Sequence, residues 1–261
     1  MILSCQDREE GSVIMIIRNE QDLEGLRKIG RIVALAREEM KASAKPGMTT
    51  KELDLIGKRV LDEHGAESAP QKEYNFPGVT CISVNEEVAH GIPGDRVLQE
   101  GDLVNIDISA TLGGYYADTG ISFVLGNDPE KERLCQAAVD AFWAAMKKTK
   151  AGARKNQIGR AVMNEARKNN FNVIENLTGH GIGLSLHEAP EHILNYFDPM
   201  DNMLLKDGMV LAIEPFVSAG ANHIIESGDG WTFVTPDKSL VAQCEHTVVV
   251  TKGEPIILTQ L

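Results

Sequence analysis

Asp107, Asp118, His180, Glu214 and Glu245 are the residues of this chain whose types and settings best suit chemistry. Four carboxylates and an imidazole gathered in one cavity would repel and take up protons unless divalent cations held them. Carboxylate and imidazole ligands shared between two ions activate water against an amide or a phosphoester. Taken singly, each acid reads equally well as structural: Asp107 and Asp118 as hairpin residues in solvent, Glu245 as an edge-strand charge. Polar residues on otherwise apolar strands weaken that reading, because a buried carboxylate needs a partner.

An internal repeat puts the acids in register. Gly101-Asp-Leu-Val-Asn-Ile-Asp107 is echoed by Gly208-Met-Val-Leu-Ala-Ile-Glu214, at a constant offset of 107 residues. Upstream, Lys45-Pro-Gly47 is echoed by Lys150-Ala-Gly152, and Ile56-Gly-Lys-Arg-Val60 by Ile158-Gly-Arg-Ala-Val162. A His-Gly-Ile triplet precedes each acidic strand, at His90 and at His180, and a second acid follows each, Asp118 and Glu245. Four ordered matches imply two copies of a helix–helix–strand unit facing each other across a pseudo-twofold axis. Each half then supplies two acids to a shared cleft. Glycines on both sides of His180 let the backbone bring the imidazole into a cavity. His187, in Leu186-His187-Glu188, and His90, in Ala89-His90-Gly91, are further candidates. His64, His192, His223 and His246 lack supporting context.

The elements that must position these residues follow from periodicity. Residues 21–41 read as a helix with Leu23, Leu26, Ile29, Val33, Ala36 and Met40 on one stripe. Thr49 and Glu52 form a capping box for a second helix that ends at Gly65. Residues 66–80 read as a loop, followed by a short strand from Thr80 to Val84. Leu103 to Ser109 alternates, with Asp107 on the Asn105 face, and Gly113-Gly114 turns the hairpin so that Asp118 returns to meet Asp107. Asp128-Pro129 starts a helix running to Lys150, and another spans 156–168. Strands are expected around 173–178, 209–215, 231–234 and 241–250. In the last, Gln243, Glu245 and Thr247 share a face. No linker interrupts the chain, so residues 15–261 read as one catalytic domain, and residues 1–14 as an extension, disordered or ahead of a true start at Met15.

Composition sets the outer bounds. The chain has 261 residues, long enough for a substantial core, with 43% hydrophobic and 25% charged residues. A net charge of −12 excludes general nucleic-acid binding, which needs a basic face. The four cysteines show no Cys-x-x-Cys spacing and suit a reducing cytoplasm. No apolar run has the length of a membrane span.

Longer strings carry a resemblance: Ala89-His-Gly-Ile-Pro93, Val104-Asn-Ile-Asp-Ile108, Ala117-Asp-Thr119, Gly179-His-Gly-Ile-Gly183, Leu186-His-Glu-Ala-Pro190, Ile213-Glu-Pro215 and Glu245-His-Thr247. From about Met15 onward the chain resembles the type I methionine aminopeptidases, the short bacterial form. His180 and Glu214 are only 34 positions apart, which leaves no room for the insertion of the type II form. The resemblance implies an α+β pita-bread fold, two pseudo-twofold related halves around a central antiparallel sheet. It implies removal of the initiator methionine from nascent proteins and peptides when the second residue is small, by a hydroxide bridging two divalent ions (Mn, Fe, Co or Zn). Asp107 then chelates one ion, Asp118 and Glu245 bridge, and His180 and Glu214 hold the second ion. Glu214 also shuttles a proton, His90 contacts the substrate near the scissile amide, and His187 stabilises the scissile carbonyl oxygen. Phe76, Cys81 and Trp231 align with the methionine pocket, while Leu186 replaces a common Phe and Glu73 a common Tyr. Implied partners are nascent chains and a transient contact with the ribosome, for a cytoplasmic monomer without a nucleic-acid or membrane partner. With Ile2 after Met1 and Ile16 after Met15, the protein is expected to keep its own initiator methionine. The competing readings are a prolidase or aminopeptidase P on the same fold, a metal-free binding module, and a creatinase-like hydrolase.

Overall fold

The computed structural model describes residues 14–261. Apart from Ile14, the extension expected over residues 1–14 lies outside the described residues, as does Cys5. Helix α1 (Glu20–Ser43) begins where the Asn19 side chain accepts the Asp22 N–H at 2.9 Å. Its expected stripe is buried from Leu26 to Met40, with Leu23 half-buried. Helix α2 (Thr50–Glu63) carries the expected capping box: Glu52 N–H donates to Thr49 Oγ1 at 3.1 Å, and Thr49 N–H to Glu52 Oε2 at 2.8 Å.

The segment read as a loop over 66–80 is instead partly ordered into strand β1 (Glu67–Ser68) and helix α3 (Ala69–Tyr74). Six residues are too few to display a periodic apolar stripe. Ser68 caps α3 and Pro70 presets its first turn, while Asn75, at φ 57, ends it. Strands β2 (Cys81–Val84), β3 (Glu87–Ala89), β4 (Leu103–Leu112) and β5 (Tyr115–Val124) follow. The hairpin between β4 and β5 turns at Gly113-Gly114, both with positive φ.

Helix α4 (Pro129–Met146) starts at the Asp128 cap but stops short of the expected Lys150. Helix α5 spans Asn156–Lys168, as the pattern predicts. The remaining strands are short: β6 (Asn172–Val173), β7 (Gly179–Gly181), β8 (Glu188–Ile193), β9 (Val210–Ile213) and β10 (Phe216–Ser218). They continue as β11 (Ile225–Glu226), β12 (Phe233–Val234), β13 (Val241–Gln243), β14 (His246–Val249) and β15 (Ile256–Ile257). The single strand expected over 241–250 is thus broken at Cys244 and Glu245, where the chain leaves β10 for β9.

The repeat is visible in the sheets. β4 lies between β2 and β5, and β9 lies between β7 and β14, all antiparallel. Helices α1 and α2 bury their apolar faces on the first trio, with Ile29, Val33, Leu53 and Val60 against Ile82, Val104, Ile106 and Ile108. Helices α4 and α5 do the same on the second side, with Leu134, Phe142, Ile158 and Val162 against Leu211, Ile213 and Val248. The halves join edge to edge at β5 and the 244–247 segment. Glu245 N–H donates to Gly120 O at 2.8 Å, and Thr247 Oγ1 both accepts from Asp118 N and donates to Asp118 O, each at 2.8 Å. This seam sets two acids side by side, Asp118 on β5 and Glu245 in the break between β13 and β14.

Candidate active site and its family

Four of the five acid-and-imidazole candidates stand on the central strands or immediately beyond them, and Glu245 sits at the seam. Asp107 on β4 is opposite Gly120 in register, and Asp118 on β5 is opposite Ser109. The two aspartates are therefore diagonal neighbours, close enough for each carboxyl to shift the proton affinity of the other. His180 lies on β7 beside Ala212 of β9, two residues before Glu214. Its Nε2 is 3.5 Å from Glu214 Oε1. One side-chain donor atom from each of Asp118, His180 and Glu245 falls within 4.8 Å of the others, all three residues being buried. Asp107 and Glu214 flank this trio rather than belonging to it at that distance.

The glycine after each repeat histidine explains the tight placement. A Cβ on Gly91 would lie 2.2 Å from Ile82 O, and one on Gly181 would lie 2.2 Å from Ala189 O. Neither backbone oxygen can yield, so only glycine lets these strands close on the cleft.

Burial and the mutual repulsion of its acids set the electrostatics of the cluster. Burial, softened by hydrogen bonds from Asp118 and Gln243, pushes the Asp107 carboxyl up to about 6. Burial, and then the charges of neighbouring acids, holds Asp118, Glu214 and Glu245 well above the usual carboxylate range. Asp118 Oδ1 is fully buried with no hydrogen-bond partner among the described residues. An orphaned buried carboxyl oxygen beside three further carboxyl groups and an imidazole is the donor set that a hard or borderline divalent cation satisfies. The residues present thus fit a metal centre.

The candidate substrate residues surround this floor. The His187 ring lies 4.1 Å from that of His180, centroid to centroid. His90, at φ 55, packs tilted against Phe233 at 5.1 Å, and burial lowers its pKa to about 4, so it is neutral at physiological pH. Phe76 and Trp231 meet edge to face at 5.1 Å. Cys81 is buried directly opposite Asp107 in the β2–β4 ladder. Leu186 packs with Met15, Leu26 and Tyr116, and the Tyr116 hydroxyl donates to Glu73 Oε1 at 2.6 Å.

Several supporting residues escaped the sequence reading. Gln243 Nε2 donates to Glu245 Oε2 at 3.1 Å, its amide lowers the proton affinity of Asp107 and Glu214, and its Oε1 accepts from Asn105 Nδ2 at 2.8 Å. The shared face of Gln243 and Glu245 was the available signal. Buried Asp54 on α2 accepts from Val79 N, Thr80 N and Thr80 Oγ1, which fixes the segment between Phe76 and Cys81. Glu188 accepts from Leu184 N at 2.5 Å, Ser185 N at 2.8 Å and Met15 N at 2.8 Å, pinning the turn that carries His187. No pattern in the chain separated these acids from surface charges.

Comparison with known proteins places this geometry. The profile of Metallopeptidase family M24 matches residues 24–252. Methionine aminopeptidase 2 of Bacillus subtilis is 69% identical over 249 residues, covering 95% of this chain and all of that protein. The crystal structure of methionine aminopeptidase from Rickettsia prowazekii superposes with a TM-score of 0.90 at 38% identity, covering 95% of this chain and 100% of that one. Prolidase from Pyrococcus furiosus shares the fold, with a TM-score of 0.74 at 24% identity over 95% of this chain and 66% of its own. The metal-fitting acid cluster and these matches lead to one conclusion: the chain belongs to metallopeptidase family M24, with the methionine aminopeptidases as its near relatives.

Proposed function

We propose that this protein hydrolyses the bond after an N-terminal methionine, in nascent proteins and peptides whose second residue is small, and that it is of the short, type I form. The convergence of Asp118, His180 and Glu245, flanked by Asp107 and Glu214, carries the reading. The 34-residue interval from His180 to Glu214 supports the short form. Free thiols at Cys81, Cys135 and Cys244 suit work in the cytoplasm.

Two divalent ions would be held by five side chains: Asp107 on one, His180 and Glu214 on the other, Asp118 and Glu245 between them. Bound there, such ions lower the pKa of water and polarise a carbonyl oxygen, and carboxylate–imidazole ligation admits Mn, Fe, Co or Zn. Glu214, whose buried carboxyl has a raised proton affinity, can take a proton from the attacking water and pass it to the departing amine. His187 offers a ring N–H to the scissile carbonyl oxygen as negative charge develops there. Neutral His90 holds the amide by hydrogen bonding rather than by charge. Phe76 and Trp231, with Cys81, supply an apolar, partly aromatic wall for an unbranched thioether.

The test is a peptide series with added Mn²⁺ or with chelator. Chelator-sensitive release of Met from Met-Ala-Ser, with Met-Ile-Ser and a Xaa-Pro-Ala peptide left intact, is the expected result. Cleavage of the Xaa-Pro peptide alone would move the chain to prolidase-like activity.

A further inference from the structure

We propose that Tyr74 is a positioning residue that fixes the ring orientation and tautomer of His187. This rests on the reading above, in which His187 faces the scissile carbonyl. The backbone on both sides of His187 is already held. Glu188 clamps the N–H groups of Leu184 and Ser185, Leu186 is buried, and the His187 carbonyl accepts from Ser185 Oγ at 2.9 Å. These backbone contacts do not set the rotation of the imidazole or the choice of nitrogen that bears its proton.

Tyr74 settles both. It is the last residue of α3, and its hydroxyl oxygen is 2.6 Å from His187 Nδ1, with the two rings tilted 56° at 5.6 Å. A neutral imidazole carries one N–H, so a contact at Nδ1 decides the state of Nε2. A phenol is a more acidic donor than a neutral imidazole N–H, and a bare ring nitrogen is a more basic acceptor than a phenol oxygen. The O–H therefore donates to Nδ1, and the ring proton resides on Nε2. That tautomer can donate to a carbonyl oxygen through Nε2; the opposite one cannot. Helix α3 thereby has a task beyond packing: its capped, six-residue length delivers one hydroxyl to the back of the imidazole.

The test uses Tyr74→Phe, which keeps the ring and removes only the hydroxyl. Nitrogen-15 NMR of the zinc-loaded enzyme reads the tautomer near pH 8, above the ordinary histidine value of about 6.5. The His187 signals are assigned by their absence in His187→Gln. The wild type should show a bare Nδ1 and a protonated Nε2, and Tyr74→Phe a mixture. With Met-Ala-Ser, Tyr74→Phe should lose about tenfold in kcat with KM and melting temperature little changed, the freed ring rotation adding to the tautomer mixture for an effect the size of one hydrogen bond. A His187 proton on Nδ1 in the wild type would overturn the proposal, as would a Tyr74→Phe enzyme with unchanged tautomer and kcat. If the wild type releases Met from no peptide, the functional reading fails while the NMR spectrum still decides what Tyr74 does.

Discussion

At the level of single residues, the five candidate ligands are poor choices for stability and good ones for holding charge. In the metal-free chain, burial raises the Asp107 carboxyl from 3.8 to about 6. Between those values the folded chain binds more protons than the unfolded one, so this residue's contribution to stability is present at low pH and lost as pH rises through about 6. The buried histidines His90 and His246 act in the opposite sense, since burial lowers their pKa values to about 4 and about 3. Comparing a variant with the wild type cancels their effect. Metal-free Asp107→Asn should melt higher than the metal-free wild type near pH 7.5, by about 3 °C or more, because it removes a costly buried charge. The gap should close at about pH 5, where the wild-type carboxyl is protonated, and added Mn²⁺ should stabilise the variant less than the wild type. Thermal melts in chelator at the two pH values check this; a variant less stable at the higher pH would refute it.

The elements carry the same duplication as the acids, but with different local packing, and this separates two glycines that the repeat pairs. Gly57 on α2 and Gly159 on α5 occupy matching places. A Cβ on Gly57 would meet Met40 Sδ at 2.6 Å, the end of a flexible side chain, whereas one on Gly159 would lie 2.1 Å from the Tyr196 backbone oxygen. Gly57→Ala should therefore cost about 1 kcal/mol or less, and Gly159→Ala about 3 kcal/mol or more. Denaturant unfolding of both variants measures it, and equal costs would show that the two helix seats are equivalent after all. Long periodic elements were legible from sequence: α1, α2 and α5 lie within a few residues of where their stripes and caps put them. Helix α3 was not, because six residues, one of them proline, show no period, and its Ser68 cap and Asn75 stop act only in context. The break at Cys244–Glu245 was equally hidden, since alternation continues through it while the hydrogen-bond partner changes from β10 to β9.

For the molecule as a whole, the seam between the halves is where fold and chemistry coincide. Asp107 and Asp118 come from one half and His180, Glu214 and Glu245 from the other, so ions bound among them would tie the halves together. The constant offset between Asp107 and Glu214 makes this legible in the amino-acid sequence, because duplicated strands facing each other must bring duplicated acids together. The supporting contacts of Asp54, Glu188 and Tyr74 were not legible, since each joins segments apart in sequence, up to a separation of 173 residues for Met15 and Glu188, whereas Gln243 and Glu245 are near in sequence and their shared face was the one signal. Together the two halves are expected to hold two divalent ions per chain through these five side chains. Equilibrium dialysis against Mn²⁺, with the bound metal counted, tests it most directly. The wild type should retain two ions per chain, and Glu245→Ala, which removes the carboxylate proposed to be shared by both, should retain fewer than one. A wild type that binds no ion yet releases Met from Met-Ala-Ser in chelator would contradict it.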